Sequence, residues 1–305
     1  RRQRNVAQVR MRIPDRLRRI LVIDQTKLRL HIHLGSAGKI RWLELCVFKA
    51  VDGLETREFR DGIRRPAQFQ RDIGHQLMAW LPPQLAGRML DLGSGTGYFA
   101  DQLRQTYPQA PLLCLDIAQG MLAYARQNRP LQNTNWLCGD AEQLPLADES
   151  IDLLFSSLAI QWCEHPEQLF SEIERALKPG GEAFIATLGP ETLHELRQAW
   201  ATVDSYTHVN RFIDLAGLRG DIESSGLTIA RAETGYQLLC YPQLRELTHE
   251  LKHLGAHNMN RGQPTGLTGR QRIQALKAAY EQFRDSQGLL PATYQVYYLH
   301  LRKDL

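Results

Sequence analysis

Short, mostly apolar runs alternate along this chain with apolar positions at helical spacing. The run at 88–92 is an example of the first kind, and it is typical of a strand buried on both faces of a sheet. Phe69, Ile73 and Leu77 show the second kind, because a recurrence every four positions places all three on one face of a helix. The two patterns alternate along the chain from residue 66 to residue 301.

This alternation predicts an α/β fold with a doubly wound, mostly parallel, seven-stranded sheet. Strands are predicted at 88–92, 111–116, 135–138, 151–156, 182–187, 228–239 and 293–301. Helices are predicted at 66–82, 98–104, 118–128, 165–177, 191–204, 211–225, 244–254 and 271–283. The helices that follow the fifth strand, at about 190–225 and 242–286, are expected to be insertions on the substrate side of the sheet.

Residues 1–60 form a basic leader that differs from the rest of the chain. They hold 15 Lys and Arg against 6 Asp and Glu, whereas residues 61–305 hold 22 against 27. In the leader, the alternating stretch 28–34, a Gly-Ser turn and the run 40–43 predict a β-hairpin. We therefore expect two parts, the leader at 1–60 and one domain at 61–305.

Composition excludes several classes of protein. The chain is 43% hydrophobic and 23% charged, which is ordinary for a globular protein, and no apolar run is long enough to span a membrane. The five cysteines are widely spaced and include no C-x-x-C pair, which argues against a disulfide framework and a zinc site and favours the cytoplasm. No metal site and no membrane association are predicted.

The glycine-rich stretch after the first sheet strand is the main candidate for a binding site. Gly93, Gly95 and Gly97 fall between a strand and a helix, where glycine lets the backbone approach a ligand and the helix presents unpaired N–H groups. Asp91 can meet a cationic group, and Asp116, which ends the next strand, can accept hydrogen bonds from a ribose. The alternative is an ordinary tight turn with an acid at a strand end.

Further residues fall at the carboxyl ends of the predicted strands, where doubly wound sheets bind their ligands. Ile117 and Met121 follow the second strand. Met121 can cover an adenosine, although core packing is the more frequent role of a helical methionine. Asp140 and Ala141 follow the third strand, where an acid can accept a hydrogen bond from an adenine amino group. Ser157 follows the fourth strand.

The order D-L-G-S-G-T-G at 91–97, with Asp116 beyond it, resembles the cofactor site of class I methyltransferases. This resemblance implies a Rossmann-like fold and S-adenosylmethionine as cofactor, with the turn around its methionine part and Asp116 on its ribose. The cofactor-binding residues expected on this basis are Asp91, Gly93, Gly95, Gly97, Asp116, Ile117, Met121, Asp140, Ala141 and Ser157.

Later stretches narrow the resemblance to one family. Residues 157–163, 193–200, 208–212, 251–256 and 266–268 are together similar to the malonyl-[acyl-carrier protein] O-methyltransferases of biotin synthesis. The resemblance covers roughly residues 70–302. It implies methyl transfer from S-adenosylmethionine to the free carboxylate of malonyl-[acyl-carrier protein], with the carrier protein as partner and no nucleic acid.

A carboxylate is ionised at neutral pH and is itself the nucleophile, so no catalytic acid or base is predicted. The site should instead hold the carboxylate, which needs hydrogen-bond donors when it leaves water. The positioning candidates are Arg211, His208, Asn210, Gln161 and Trp162. Core packing remains an alternative for Trp162, and a plain surface charge for Arg211. Basic candidates for docking an acidic carrier are Arg197, Lys252, Arg261, Arg270, Arg272 and Lys277.

Before residue 70 the chain departs from the family, whose members carry F-x-x-A-A-x-x-Y over the cofactor, whereas residues 59–66 here include no tyrosine. One alternative is therefore a cofactor-binding module without catalysis. Another is a methyltransferase of a different small carboxylic acid or of a quinone precursor. A nucleic-acid methyltransferase is less compatible, because the chain lacks the Asn/Asp-Pro-Pro-aromatic signature and residues 61–305 are net negative.

Overall fold

The computed structural model describes residues 21–24, 29–32, 66–253 and 269–305. Contacts divide the chain into two units, 1–47 and 48–305. In the first unit, β1 (Leu21–Asp24) and β2 (Arg29–Ile32) pair antiparallel. The strand predicted at 28–34 is thus present as β2, but it pairs with the strand before it. The predicted partner at 40–43 and the departure at 59–65 lie outside the described residues.

The second unit contains all seven predicted strands and all eight predicted helices. The strands are β3 (Met89–Leu92), β4 (Leu112–Asp116), β5 (Thr134–Cys138), β6 (Ile151–Ser157), β7 (Leu177–Leu188), β8 (Leu227–Tyr241) and β9 (Leu290–Lys303). The helices are α1 (Pro66–Met78), α2 (Tyr98–Thr106), α3 (Gln119–Asn128), α4 (Pro166–Ala176), α5 (His194–Ala201), α6 (Leu215–Ser224), α7 (Leu244–His253) and α8 (Arg270–Tyr280). Short 3₁₀ turns follow β6 at Ile160–Trp162 and α8 at Glu281–Phe283.

The strands form one seven-stranded sheet in the order β5-β4-β3-β6-β7-β9-β8. All neighbours from β5 to β7 are parallel, and β9 runs antiparallel to both β7 and β8. The predicted doubly wound, mostly parallel sheet is therefore confirmed. The strand order reverses at β3, which lies between β4 and β6, and such a switch point is where sheets of this kind bind ligands. We call the side formed by the carboxyl ends of β3 to β7 the carboxyl edge.

Two hydrophobic layers cover the faces of the sheet. Successive β6 residues alternate between them, since Phe155 packs in the first layer and Leu154 in the second. Helix α1 contributes Phe69 to the first layer, and α4 contributes Phe170 to the second. Because both faces are covered, central strands are apolar on both sides, which explains why β3 is buried at all four of its positions.

The chain that leaves β7 starts at the carboxyl edge. Leu188 ends β7 opposite Val296 of β9, and Thr293 lies three residues further out on β9. The N–H of Leu193 donates to Thr293 O at 2.6 Å, which holds the start of α5 at this edge. Helix α6 contacts α4 and β8 instead, and its Leu218 packs in the second layer. The placement of the predicted insertion at 190–225 on the substrate side remains a prediction.

Removal of residues 1–60 should leave a protein that unfolds in one cooperative transition. In the second unit, every described helix and strand begins at or after residue 66, so the truncated chain retains both hydrophobic layers of the sheet. Thermal unfolding followed by circular dichroism, with residues 1–305 as the control, measures this. A broad, non-cooperative transition for the truncated chain would place part of the leader in the core.

Candidate active site

The glycine turn joins β3 to α2 in a conformation that requires glycine. Gly93 and Gly97 have φ values of 76° and 78°, in the left-handed region. A Cβ on Gly93 would lie 2.2 Å from Cβ of Ala159, so a side chain there would displace the segment after β6. The N–H groups of Gly93 and Ser94 donate to Leu115 O at 2.8 and 3.0 Å. The turn is thus packed between the ends of β4 and β6.

The Asp116 carboxylate ties this turn to the end of β4. Its Oδ2 accepts a hydrogen bond from the Gly95 N–H at 2.8 Å, and its Oδ1 accepts from the Ala118 N–H at 2.7 Å. Burial raises the pKa of Asp116, and these two bonds to the ionised form oppose that rise. Asp116 therefore organises the turn itself, and its predicted contact with a ribose remains a prediction.

Asp91 is a buried carboxylate beneath the turn. It is 2% exposed, and its Oδ2 has no hydrogen-bond partner among the residues that the structure describes. Burial, with a smaller contribution from the negative charge of Asp116, raises the pKa of Asp91 to about 8. A buried acid without a partner is costly when ionised, and a cationic group beside it would offset that cost. The site is thus suited to a ligand that carries positive charge.

The remaining cofactor candidates surround this turn at the carboxyl edge. Cε of Met121 lies 3.8 Å from the position of a Cβ on Gly95, so its side chain reaches the turn. Ile117 is 62% exposed directly after β4, and its carbonyl accepts from Cys138 Sγ at 3.5 Å. Asp140 and Ala141 follow β5, whose end is joined to that of β4 by a hydrogen bond from Gly139 N–H to Asp116 O at 3.1 Å. Asp140 is exposed and Ala141 is half-buried.

The end of β6 has an unusual backbone conformation that the sequence did not predict. Leu158 adopts a φ of 53°, which is uncommon outside glycine, and its N–H donates to Ala186 O at 2.8 Å. This conformation turns the chain so that Ala159 packs on Gly93. Ser157 just before it has a buried Oγ without a partner among the described residues, as does Ser94 of the glycine turn, which was not among the predicted site residues.

Two substrate candidates lie on the same turn. Gln161 donates from Nε2 to Leu158 O at 2.7 Å and accepts a long bond of 3.5 Å from Thr187 Oγ1 at the end of β7. Trp162 is 38% exposed, so it is not a core residue. Burial raises the pKa of the nearby Cys163 thiol to about 12, which keeps that thiol protonated and unreactive.

The other substrate candidates follow α5. His208 stacks on Trp200, with ring centres 3.5 Å apart, and pairs with Asp204 rather than with any group of the glycine turn. Asn210 is half-buried. Arg211 is exposed and makes no hydrogen bond or ion pair with the described part of the chain. All three therefore lie on the segment between α5 and α6, and their roles remain predictions.

The predicted docking cations differ in their surroundings. Arg272 pairs with Asp204, and Arg197 donates to the carbonyl of Pro190. Arg270 and Lys277 are exposed on α8. The side chains of Lys252 and Arg261 lie outside the described residues, as does most of the family-like stretches at 251–256 and 266–268.

Comparison with known proteins identifies the class. Residues 90–185 match the family described as a methyltransferase domain. The solved YcgJ protein of Bacillus subtilis superposes with a TM-score of 0.54 at 18% identity, covering 77% of this chain and 99% of that one. The [4+2]-cyclase SpnF superposes at 0.51 and 19%, covering 81% and 85%, so the fold by itself does not decide the reaction. The fold and the matched domain are those of a class I, S-adenosylmethionine-dependent methyltransferase.

Sequence relatives identify the family within this class. The malonyl-[acyl-carrier protein] O-methyltransferase of Methylococcus capsulatus is 41% identical over 241 residues, covering 77% of this chain and 86% of the relative. The biotin biosynthesis bifunctional protein BioHC of Cellvibrio japonicus is 47% identical over 292 residues, covering 90% and 57%. The chain belongs to the malonyl-[acyl-carrier protein] O-methyltransferase family.

The extent of these matches adds two facts. The chain spans about half the length of the bifunctional relatives, between 40% and 57%. The match to the Cellvibrio japonicus protein covers 90% of this chain, more than residues 61–305 alone provide, so part of the leader is shared with that relative.

The described residues include no group of three or more acidic, His or Cys side chains that could hold a metal ion, and no helix long and apolar enough to cross a membrane.

S-adenosylmethionine fits the residues of the carboxyl edge. The unpaired Oδ2 of Asp91 is suited to a ligand ammonium group, and the glycines leave their backbone open to close approach. Ile117 and Met121 supply apolar surface for an adenine ring. The turn, Asp116 and Met121 are brought together by the structure, as the sequence predicted for a cofactor site, and each individual contact remains a prediction.

Asp116→Ala should weaken S-adenosylmethionine binding by about 1.5–3 kcal/mol, as for hydrogen bonds to a charged group. Asp116→Asn should retain part of that affinity, because the amide oxygen can still accept the bond from Gly95 N–H. Titration calorimetry measures both variants, and melting curves without cofactor report whether the turn has loosened. Unchanged affinity in Asp116→Ala would remove this residue from the site.

Proposed function

We propose that this protein transfers a methyl group from S-adenosylmethionine to the free carboxylate of malonyl-[acyl-carrier protein], giving a methyl ester that primes synthesis of the biotin precursor. The observation that carries the proposal is the 41% identity to a relative of that name over 86% of the relative's length. The buried Asp91 and the glycine turn support it independently, because they suit a cationic cofactor such as the reaction needs.

The proposed chemistry requires a held carboxylate and no general base. When bound, the cofactor supplies an electrophilic methyl group on a sulfonium. The substrate carboxylate is ionised at neutral pH, so the protein has to orient it, provide donors and exclude water. The exposed guanidinium of Arg211 supports this role, because it makes no ion pair within the described residues and can form two parallel hydrogen bonds to a carboxylate.

The proposed partner is the acyl carrier protein that carries the malonyl group, and the proposed location is the cytoplasm. Arg270 and Lys277 support docking of an acidic carrier, since both are exposed on α8. The four described cysteines are unpaired, which supports a reducing compartment.

A labelled-methyl assay on residues 1–305 tests the proposal. The substrates are malonyl-carrier protein, its methyl ester and acetyl-carrier protein, of which only the first has a free carboxylate. We expect label on malonyl-carrier protein alone and release of that label by mild alkali, as for an ester. In parallel, the chain should restore growth of a biotin-requiring strain that lacks its own malonyl-carrier methyltransferase. Label on all three substrates, or none on the first, would overturn the assignment.

A further inference from the structure

The carboxylate of Asp204 connects two parts of the chain that are far apart in sequence. Its Oδ1 accepts a hydrogen bond from His208 Nε2 at 2.8 Å and another from the Tyr206 N–H at 2.9 Å. Its Oδ2 accepts from Arg272 of α8, whose Nε lies 3.0 Å away and whose Nη2 is in closer contact. Both carboxylate oxygens of Asp204 thus accept hydrogen bonds, Oδ1 from its own segment and Oδ2 from α8.

The surroundings of this carboxylate keep it ionised. The side chains of Asp204 and His208 are only 13% and 15% exposed. Burial by itself would raise the pKa of Asp204, but the hydrogen bonds from Arg272 and His208 outweigh it, so the pKa lies below its usual range. An ionised carboxylate only accepts hydrogen bonds, so Nε2 of His208 carries the hydrogen that it shares with Asp204.

A third contact extends the connection to α5. The ring of His208 lies parallel to that of Trp200, at an angle of 11° and a centroid distance of 3.5 Å. Asp204, His208 and Arg272 therefore hold the segment 204–211 between α5 and α8. This segment needs such support, because residues 203–214 form no helix or strand, and irregular chain is costly to fix in one conformation.

The pairing of Asp204 also distinguishes Arg272 from Arg211, two arginines whose availability to a substrate the sequence alone does not indicate. Arg272 has its charge balanced by Asp204, to which it donates from Nε and Nη2. Arg211, three residues beyond His208, is exposed and makes no ion pair within the described residues. Of the two, Arg211 is therefore the one whose guanidinium remains available to an incoming carboxylate.

We propose that Asp204 and Arg272 are positioning residues, which fix segment 204–211 so that Arg211 is presented to the substrate carboxylate. The inference rests on the proposed function for the identity of the substrate. The claim that segment 204–211 is fixed in place rests only on the observed hydrogen bonds. Fixing a binding segment before the substrate arrives lowers the entropic cost of binding and orients the reacting group.

Two variants remove the connection from opposite ends, Asp204→Asn and Arg272→Gln. In both, hydrogen exchange of the amides in 204–211 should become faster, while exchange in the sheet stays as in wild type. KM for malonyl-carrier protein should rise roughly tenfold or more, with the Kd of S-adenosylmethionine changed less than about twofold. Because both variants break the same pair, the double variant should be little worse than either single one.

The chain offers a matched control. Glu172 of α4 pairs with Arg175 through two hydrogen bonds of 2.9 and 2.8 Å and is similarly shielded, with 20% of its side chain exposed. Glu172→Gln should lower stability by a similar mechanism but leave both KM and the exchange of 204–211 unchanged. Arg272→Lys should retain more function than Arg272→Gln, since lysine keeps the positive charge but lacks the planar guanidinium with its parallel donors.

The outcomes separate this inference from the proposed function. If exchange in 204–211 is unchanged in both variants, or if their effects simply add, the positioning role is wrong. If exchange quickens but wild type methylates no malonyl-carrier protein, the hold on the segment stands and the proposed function fails. If Asp204→Asn does not fold, the milder Arg272→Gln decides, because Arg272 is 29% exposed and leaves His208 bonded to Asp204.

Discussion

Asp91→Asn is expected to weaken S-adenosylmethionine binding by about 10- to 150-fold and, at neutral pH, to raise the melting temperature of the protein without cofactor. The first effect follows from the loss of a hydrogen bond to a charged group, about 1.5–3 kcal/mol. The second follows because Asp91 is 2% exposed and its Oδ2 lacks a partner among the described residues, so a neutral amide removes a buried ionisable acid.

The pH dependence has a definite sign. The pKa of Asp91 is raised from 3.8 to about 8 in the folded protein. Between these values the folded state holds a proton that the unfolded state has released, so this carboxyl favours unfolding progressively as pH rises from about 4 to about 8. A cationic ligand group favours the ionised form, so cofactor affinity should rise as pH passes through about 8. Asp91→Asn should lose both dependences.

Melting curves and calorimetry from about pH 6 to about pH 9 measure both effects. Asp152→Asn is the control, because Asp152 lies at the opposite end of β6 and accepts hydrogen bonds from Lys178 Nζ and Arg88 N–H. It should change stability without changing the pH dependence of cofactor binding. A cofactor affinity that is the same in wild type and Asp91→Asn would show that the cation does not lie beside Asp91.

The fold could be predicted from the sequence because its elements are determined by local patterns. A parallel strand buried on both faces, such as β3, is a short apolar run, and each helix shows its buried face as a spacing of three or four. The strand-to-helix glycine turn was predictable for the same reason, since Asp91, the glycines and Asp116 fall within 26 consecutive positions.

Features that depend on distant contacts were not predictable. Arg272 looked like one more surface cation, but it lies 68 positions from the carboxylate with which it pairs. The positive φ of Leu158 has no local signal either, because leucine does not favour that conformation; the structure shows it together with distant contacts, a hydrogen bond to Ala186 O and the packing of Ala159 on Gly93. The pairing of β2 with β1 was not predicted either, because alternation marks a strand but does not identify its neighbour.

Arg211→Lys is expected to lower kcat/KM for malonyl-carrier protein roughly tenfold or more, although it keeps the positive charge. A carboxylate that leaves water needs donors in exchange, and the planar fork of arginine supplies two parallel hydrogen bonds that lysine cannot reproduce. The affinity for S-adenosylmethionine should stay nearly constant, because the described contacts of the cofactor candidates do not involve Arg211. Steady-state kinetics with both substrates varied separates the two effects.

The decisive comparison uses malonyl-carrier protein and its methyl ester as ligands. Wild type should bind the free acid more tightly than the ester, and Arg211→Ala should abolish that preference, because the ester has no charge for a guanidinium to meet. Arg219 of α6 is a matched control, since it is also exposed but lies on the helix that packs on α4 and β8. Arg219→Ala should preserve the preference for the acid. If Arg211→Ala still distinguishes acid from ester, the carboxylate is held by another donor.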